Sequence, residues 1–516
     1  MDKHRPMRLL QDGLLESAKT YPDKVAIIVE GKPYTYRDLI DATLKLSGFM
    51  TSNGLERGDR CVIYMDNTWE CIVSIYAVLM AGAVFVVLNP QTKKDKLHYV
   101  LNDCSAKFLV SDTHLYPVFK DIEHHVSSLR CIISSGKREV LNGTSVIHFQ
   151  DAITAPSEKV LKVTPIASDI SALIYTSGST GNPKGVIHTH LSMTFALGSL
   201  IEYLRLSHED RILVVLPLAF DYGLYQLLMS VRLGATLILE RSFAFPAVIF
   251  KRMNELGVTV FPGVPTIYSM LMAAHERNPL QFPAVKRVTN TAAALPPEYL
   301  GALKQIFPSA LIYKMYGLTE CKRVCYLEPE LVDIKPSSVG KAIPGTEVFI
   351  LDQEGKKVLP GEVGILHVRG PHLMLGYWNL PDATNKVLVD GSLPREKILC
   401  TQDWFKMDED GDLYFQGRSD DIIKTRGEKV SPIEVENVIY AIKGVREVAV
   451  IGVYDEMLGQ AIKCFVSIDI NSGLDVMKIK KVCAENLENF MLPKYLEIVE
   501  ELPKTNTGKI DKKDLK

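Results

Sequence analysis

Residues 172–190, ALIYTSGSTGNPKGVIHTH, gather the residue types that hold an anion. A β-rich run leads into Thr176, Ser177, Gly178, Ser179, Thr180 and Gly181, and the loop closes on Lys184 and Gly185. Glycines let consecutive backbone N–H groups curve around a phosphate, hydroxyls add donors, and the lysine adds positive charge. A flexible surface loop would share the serines and glycines but would not need the lysine or the flanking β-runs. The NTPase phosphate loop has Lys-Ser/Thr directly after its second spaced glycine. Here Asn182-Pro183 intervenes, which disfavours a kinase or NTPase of that kind.

Five more segments stand out: 80–90 (MAGAVFVVLNP), 316–320 (YGLTE), 361–378 (GEVGILHVRGPHLMLGYW), 401–418 (TQDWFKMDEDGDLYFQGR) and 503–509 (PKTNTGK). Together with the loop they follow the motif order of the AMP-forming adenylating superfamily. The chain therefore resembles acyl-CoA synthetases, firefly-type luciferases and the adenylation domains of nonribosomal peptide synthetases over nearly its whole length. The resemblance implies a ligase that uses ATP to turn a carboxylic acid into an acyl-adenylate, releases pyrophosphate, and passes the acyl group to a thiol. An anion must approach an anion, so positioned cations and N–H donors should supply most of the catalysis.

The same resemblance implies roles for single residues. Segment 176–184 would hold the β- and γ-phosphates, with Thr176 at its start. Lys509 matches the lysine that bridges the reacting carboxylate and the α-phosphate. Glu320 matches the acidic residue that holds Mg²⁺, a hard cation suited to a carboxylate and waters. Around it, Tyr316, Gly317 and Thr319 would shape the nucleotide site, Tyr316 either stacking on adenine or filling the core beside it. Asp403 would accept from both ribose hydroxyls, as a carboxylate can; Gln402 stands where the family usually has glycine. Arg418 matches a ribose- or phosphate-contacting arginine, and Asp420 a hinge. About that hinge a small domain would rotate, presenting Lys509 for the first half-reaction and segment 424–433 for the second, with Gly427 letting a pantetheine arm pass close to the backbone. A catalytically silent nucleotide binder would be free to lose Lys509, which this chain keeps.

The acid pocket is less determinate. Asp221 falls where peptide-synthetase adenylation domains pair an aspartate with the substrate's amino group; it would equally cap the helix beginning near Tyr222. Further pocket candidates by alignment are Tyr222, Tyr225, Pro262, Val288, Asn290, Met315, Arg323 and Val324. Arg323 is open between a second substrate carboxylate, a phosphate or pantetheine contact, and a surface charge. The favoured expectation is a small or cyclic amino acid, with proline as the named candidate, loaded onto the phosphopantetheine of a separate carrier protein. The alternative is an acyl- or aryl-CoA synthetase using free CoA.

These residues need a scaffold of several units, because 516 residues exceed one ordinary domain. Short β-rich runs at 62–64, 84–88, 108–110, 212–216, 236–239, 258–261, 285–288 and 311–315 alternate with amphipathic stretches at 222–232, 247–256 and 265–274. That alternation predicts α/β architecture with parallel sheets and covering helices. An irregular segment at 152–165 separates two halves. After residue 352, closely spaced glycines mark a turn-rich β unit. The expected division is a large N-terminal domain 1–417, including a β subdomain at about 340–417, a hinge near 418–421, and a small mobile α+β domain 421–516.

Composition is that of an ordinary globular protein, 47% hydrophobic and 23% charged. A net charge of −2 gives no footprint for nucleic acid. The nine cysteines show neither a disulfide framework nor a complete zinc set. Residues 71–88 approach the length of a membrane span, but Gly82 divides them into a helix-like half and a strand-like half. A cytoplasmic protein with no membrane span is expected.

Overall fold

The apolar stretch that could have crossed a bilayer folds back on itself. Thr68 accepts from the Cys71 N–H and starts the helix Trp69–Met80. Gly82, at φ 70°, turns the chain into the strand Val84–Leu88. A helix that is apolar all round belongs inside a protein, and every residue from Cys71 to Met80 is buried. No described helix is long and apolar enough to span a membrane. The computed structural model describes residues 8–141, 143–155, 165–176, 182–418, 421, 423–425, 428–455, 457–469, 472–505 and 509–515.

Two large sheets carry most of the chain. One has eight strands in the order Gly376–Tyr377, Lys184–Thr189, Ile170–Thr176, Val84–Leu88, Arg60–Tyr64, Phe108–Asp112, Cys131–Ser135, Ile147–His148. The other has nine, from Lys341–Ala342 through Cys325–Leu327, Leu311–Tyr316, Arg287–Asn290, Val260–Gly263, Arg211–Val214 and Thr236–Leu239 to Val25–Val29 and Lys32–Thr35. Their central strands run parallel, as the alternating pattern predicts. The expected split into two halves near 152–165 does not describe the sheets. Val25–Val29 pairs in parallel with Thr236–Leu239, while Ile170–Thr176 joins the sheet of the early strands. One apolar core runs through both sheets and includes the helices Trp69–Met80 and Asp221–Leu233. The start of the expected irregular segment, 152–154, completes a short helix Phe149–Thr154, and 156–164 lie outside the described residues.

The turn-rich unit is an antiparallel sheet of Glu347–Leu351, Val363–Arg369, Lys397–Met407, Leu388–Asp390 and Leu413–Arg418. Lys335 ties its hairpin turn to the preceding chain, with Nζ 2.8 Å from Asp408 and 2.7 Å from both Asp410 and Asp412. These three carboxylates therefore already enclose a cation. A fourth sheet, of Glu428–Val430, Ile423–Thr425, Gly459–Ile468, Val445–Asp455 and Tyr495–Val499, has its own apolar core. It rests on the rest of the chain through the Ser431 hydroxyl, which donates to the Gln416 carbonyl, and through Tyr440, edge-on to Tyr299 at 6.5 Å.

Candidate nucleotide site and acid pocket

Ile170–Thr176 and Lys184–Thr189 form an antiparallel pair with Thr176 opposite Lys184 and Tyr175 opposite Gly185. The pair therefore brings the two ends of the glycine-rich loop together. Ser177, Gly178, Ser179, Thr180 and Gly181 lie outside the described residues. A Cβ on Gly185 would sit 3.0 Å from the Tyr175 ring and 3.3 Å from Trp378, so glycine lets two aromatics close over the strand.

Tyr377 links this loop to the Tyr-Gly-Leu-Thr-Glu turn. The Lys184 ammonium lies 5.2 Å from its ring centre, and its hydroxyl donates to Glu320 Oε1 at 2.7 Å. Sequence reasoning missed Tyr377, whose only signal is its place inside a motif. His188 makes a second link, Nε2 to the Thr319 carbonyl at 2.9 Å. Burial holds the His188 pKa well below the usual imidazole range, so the ring is neutral and donates through Nε2. The turn admits no side chain at Gly317, where a Cβ would lie 2.4 Å from the Lys322 carbonyl oxygen.

Asp403 and Arg418 face each other on the strands Lys397–Met407 and Leu413–Arg418, with Arg418 Nε 4.0 Å from Asp403 Oδ1. The Tyr316 hydroxyl donates to Asp403 Oδ2 at 2.5 Å. The Tyr316 ring packs against Phe405 and Phe415, so its core-filling and carboxylate-holding uses are both visible. Burial raises the Asp403 pKa to about 6, against the opposing effects of the Tyr316 hydrogen bond and Arg418. The preceding Gln402 has φ 61°, the left-handed region that glycine enters freely. Glycine is the residue the family pattern has there; this chain holds the same bend with glutamine.

Lys509 reaches this cleft from the C-terminal end. The Thr505 N–H donates to the Lys509 carbonyl at 2.7 Å, and the Lys509 N–H donates to Thr505 Oγ1 at 3.2 Å. Lys512, 2.7 Å from Glu436, fastens the segment to the small sheet unit. The Lys509 ammonium lies 6.0 Å from the Phe220 ring centre. Its pKa is lowered to about 8, first by burial and then by Arg418, while Asp403 opposes the shift. Hence Lys509, the Asp403–Arg418 pair and Phe220, which precedes the expected pocket residue Asp221, occupy one cleft. Asp420 and Gly427 lie outside the described residues.

Residues 14–378 match the AMP-binding enzyme family and residues 434–509 match the AMP-binding enzyme C-terminal domain. The chain belongs to the AMP-binding enzyme family. It is 32% identical to a long-chain-fatty-acid–CoA ligase of Bacillus subtilis, covering 98% of this chain and 93% of that protein. It is 30% identical to an oxalate–CoA ligase of Arabidopsis thaliana, covering 97% of each. Among solved structures it is similar to the anthranilate CoA ligase AuaEII in complex with anthranoyl-AMP, with TM-score 0.90, 27% identity, and 100% and 98% of the two chains covered. ATP-bound MatB from Rhodopseudomonas palustris gives TM-score 0.88 at 26% identity, covering 99% and 98%. The protein is therefore an ATP-using, AMP-forming ligase of the acid–thiol class. The Bacillus, Arabidopsis and AuaEII relatives are named as CoA ligases, which favours the free-CoA alternative over the expected loading of a carrier protein with an amino acid.

For this AMP-binding enzyme the acid pocket departs from expectation at Asp221. It is the first residue of the helix Asp221–Leu233, and its Oδ1 accepts from the Lys322 ammonium at 2.8 Å. Both side chains are largely buried, at 13% and 1% exposure. The carboxylate expected to meet a substrate ammonium already has a cation of the protein beside it. Lys322 was missed because nothing local announces that it folds back onto a residue 101 positions away. Tyr222 is fixed through its hydroxyl to the Thr289 carbonyl at 2.6 Å, and Tyr225 is buried with its hydroxyl 3.5 Å from the Met193 carbonyl. Met315 accepts from Tyr203 through sulfur at 2.9 Å. Pro262, Val288 and Val324 are buried on or beside the nine-stranded sheet. Asn290 donates to Ala293, while its Oδ1 has no hydrogen-bond partner. A separate cavity of about 480 Å³ opens at the ends of both large sheets, lined by residues including Asn67, Pro90, His114, Leu218, Ala219 and Arg241. None of the expected acid-pocket residues lines it.

Proposed function

We propose that this enzyme joins a carboxylic acid other than an amino acid to coenzyme A through an acyl-adenylate. The observation that carries the reading is the position of Lys509, beside Phe220 in the cleft that also holds Asp403 and Arg418. There its ammonium offsets the repulsion between the incoming carboxylate and the α-phosphate. Lys184 and the loop around it bind the outer phosphates, and ionised Asp403 accepts from the ribose hydroxyls. The Asp221–Lys322 pair speaks against a substrate ammonium, because an added cation would meet a carboxylate already neutralised.

Glu320 suits Mg²⁺. Tyr377 orients one of its carboxylate oxygens, and among the described residues no lysine or arginine lies within ion-pair distance of it. The metal, when bound, would neutralise charge on the transferring phosphate. For the second half-reaction, the small sheet unit rotates about the region of Asp420, withdrawing Lys509 and presenting segment 424–433 with Gly427 to the thiol.

The reading is tested by pyrophosphate exchange over a panel of acids, followed by thioester formation with free CoA. Exchange confined to amino acids, or thioester formation only on a carrier protein, would return the function to the other reading.

A further inference from the structure

Arg323 is a buried cation. It is 5% exposed, its Nη1 donates to Thr291 Oγ1 at 2.5 Å, and its Nε has no hydrogen-bond partner. Among the described residues no carboxylate lies within ion-pair distance of it. Two other buried or largely buried cations have carboxylate partners, whereas Lys314, 3% exposed, donates to the Pro336 carbonyl. Lys322, its neighbour, faces Asp221 at 2.8 Å, and Arg287 faces Asp210 at 2.9 Å. A buried charge with no opposing charge is costly, so a fold that tolerates one needs a reason.

Its surroundings supply one. The guanidinium carbon lies 5.7 Å from the Tyr222 ring centre; Tyr222 meets Phe220 edge-on at 6.4 Å; and Lys509 lies 6.0 Å from Phe220 on the other side. One aromatic pair is thus flanked by two cations, Lys509 at the nucleotide end and Arg323 at the inner end. A monocarboxylic acid has a use for the first alone. An acid with a carboxylate at each end would use both, and a guanidinium fork is the side chain best shaped for a carboxylate.

We propose that Arg323 binds a second carboxylate of the substrate, distal to the one that is adenylated, so that the enzyme activates small dicarboxylic acids. This rests on the acyl-adenylate reading above. The two fixed tyrosines and Phe220 limit the spacer to a short chain or a single ring. Lys322, already paired, keeps Asp221 from cancelling the Arg323 charge.

The test is pyrophosphate exchange by the full-length enzyme with succinate, glutarate, adipate and phthalate, set against butyrate, valerate, hexanoate and benzoate. The expected result is a kcat/KM for the best diacid well above that of its monoacid partner. In Arg323→Met the diacid-to-monoacid ratio should fall about 100-fold, as loss of one partner of a buried charge pair does, and Arg323→Lys should recover part of it. A merely structural arginine would instead lower exchange with every acid alike. Wild-type preference for monoacids, or an unchanged ratio in Arg323→Met, would overturn the proposal while leaving the acyl-adenylate reading intact. Exchange with no acid of either set would overturn both. The wild-type panel decides the matter even if Arg323→Met fails to fold.

Discussion

The Lys322 ammonium and the Asp221 carboxylate form an ion pair at 2.8 Å that joins the turn after Glu320 to the first residue of the pocket helix Asp221–Leu233. Breaking one partner of such a pair leaves the other buried and uncompensated, which typically costs about 3–5 kcal/mol. Lys322→Met should therefore lower stability by about that amount, measured by denaturant midpoint. Asp221→Leu combined with Lys322→Met should be less destabilising than Lys322→Met alone. A double variant no more stable than the single would mean that the pair is not a closed unit.

Asp403 works against the fold that holds it. Its pKa is raised to about 6 from 3.8, chiefly by burial, so the native state binds more protons than the unfolded state between those values. Stability therefore falls as pH rises through that window, and the cost, about 3 kcal/mol, is complete above about pH 6. Asp403→Asn should raise the melting temperature at pH 7 while weakening ATP binding, and the gain should vanish below about pH 4. Asparagine can still accept from Tyr316, so the local hydrogen bond is not the variable. An Asp403→Asn enzyme that melted lower than wild type at pH 7 would contradict the burial argument.

What the sequence discloses about this molecule depends on the range of the interaction. Thr236–Leu239 and Val84–Leu88 are legible as strands because a short β-branched run between turn residues is a local signal. Their partners are not. Nothing in Val25–Val29 says that it will add to Thr236–Leu239 across the intervening chain, and so the halves expected on either side of 152–165 exchange strands. The site divides in the same way. Gly317 is readable from its motif because the turn leaves no space for a Cβ, a constraint imposed by the adjoining Lys322 carbonyl. Tyr377 on Glu320 and Lys322 on Asp221 are contacts between distant segments, and the second gives the aspartate a cation partner from within the protein.

The two half-reactions should separate at the hinge. If the small unit must rotate for thiol attack, Asp420→Pro should leave pyrophosphate exchange near wild type, because the arrangement with Lys509 in the cleft is the one already adopted. Thioester formation with CoA, followed by single-turnover transfer from preformed acyl-adenylate, should fall at least tenfold. Equal losses in both steps would mean that Asp420 serves the fold rather than the rotation.

Lys509 offsets charge only when protonated, and its pKa is lowered to about 8, with burial the leading cause. The kcat/KM for adenylate formation, which reports the free enzyme, should therefore decline as pH rises through about 8. Bound ATP adds negative charge beside the ammonium and raises its pKa, so the decline in kcat should come at higher pH than the decline in kcat/KM. Lys509→Arg should carry the fall in kcat/KM upward beyond the measurable range, since a guanidinium stays charged. Lys509→Ala should reduce exchange by about 100-fold or more without lowering the melting temperature at pH 7, because burial disfavours the charged lysine in the folded state. The alkaline limb should also be absent from what activity remains. If that limb persisted in the alanine variant, another group would be titrating, and the charge-offsetting role would pass from the tail lysine to that group.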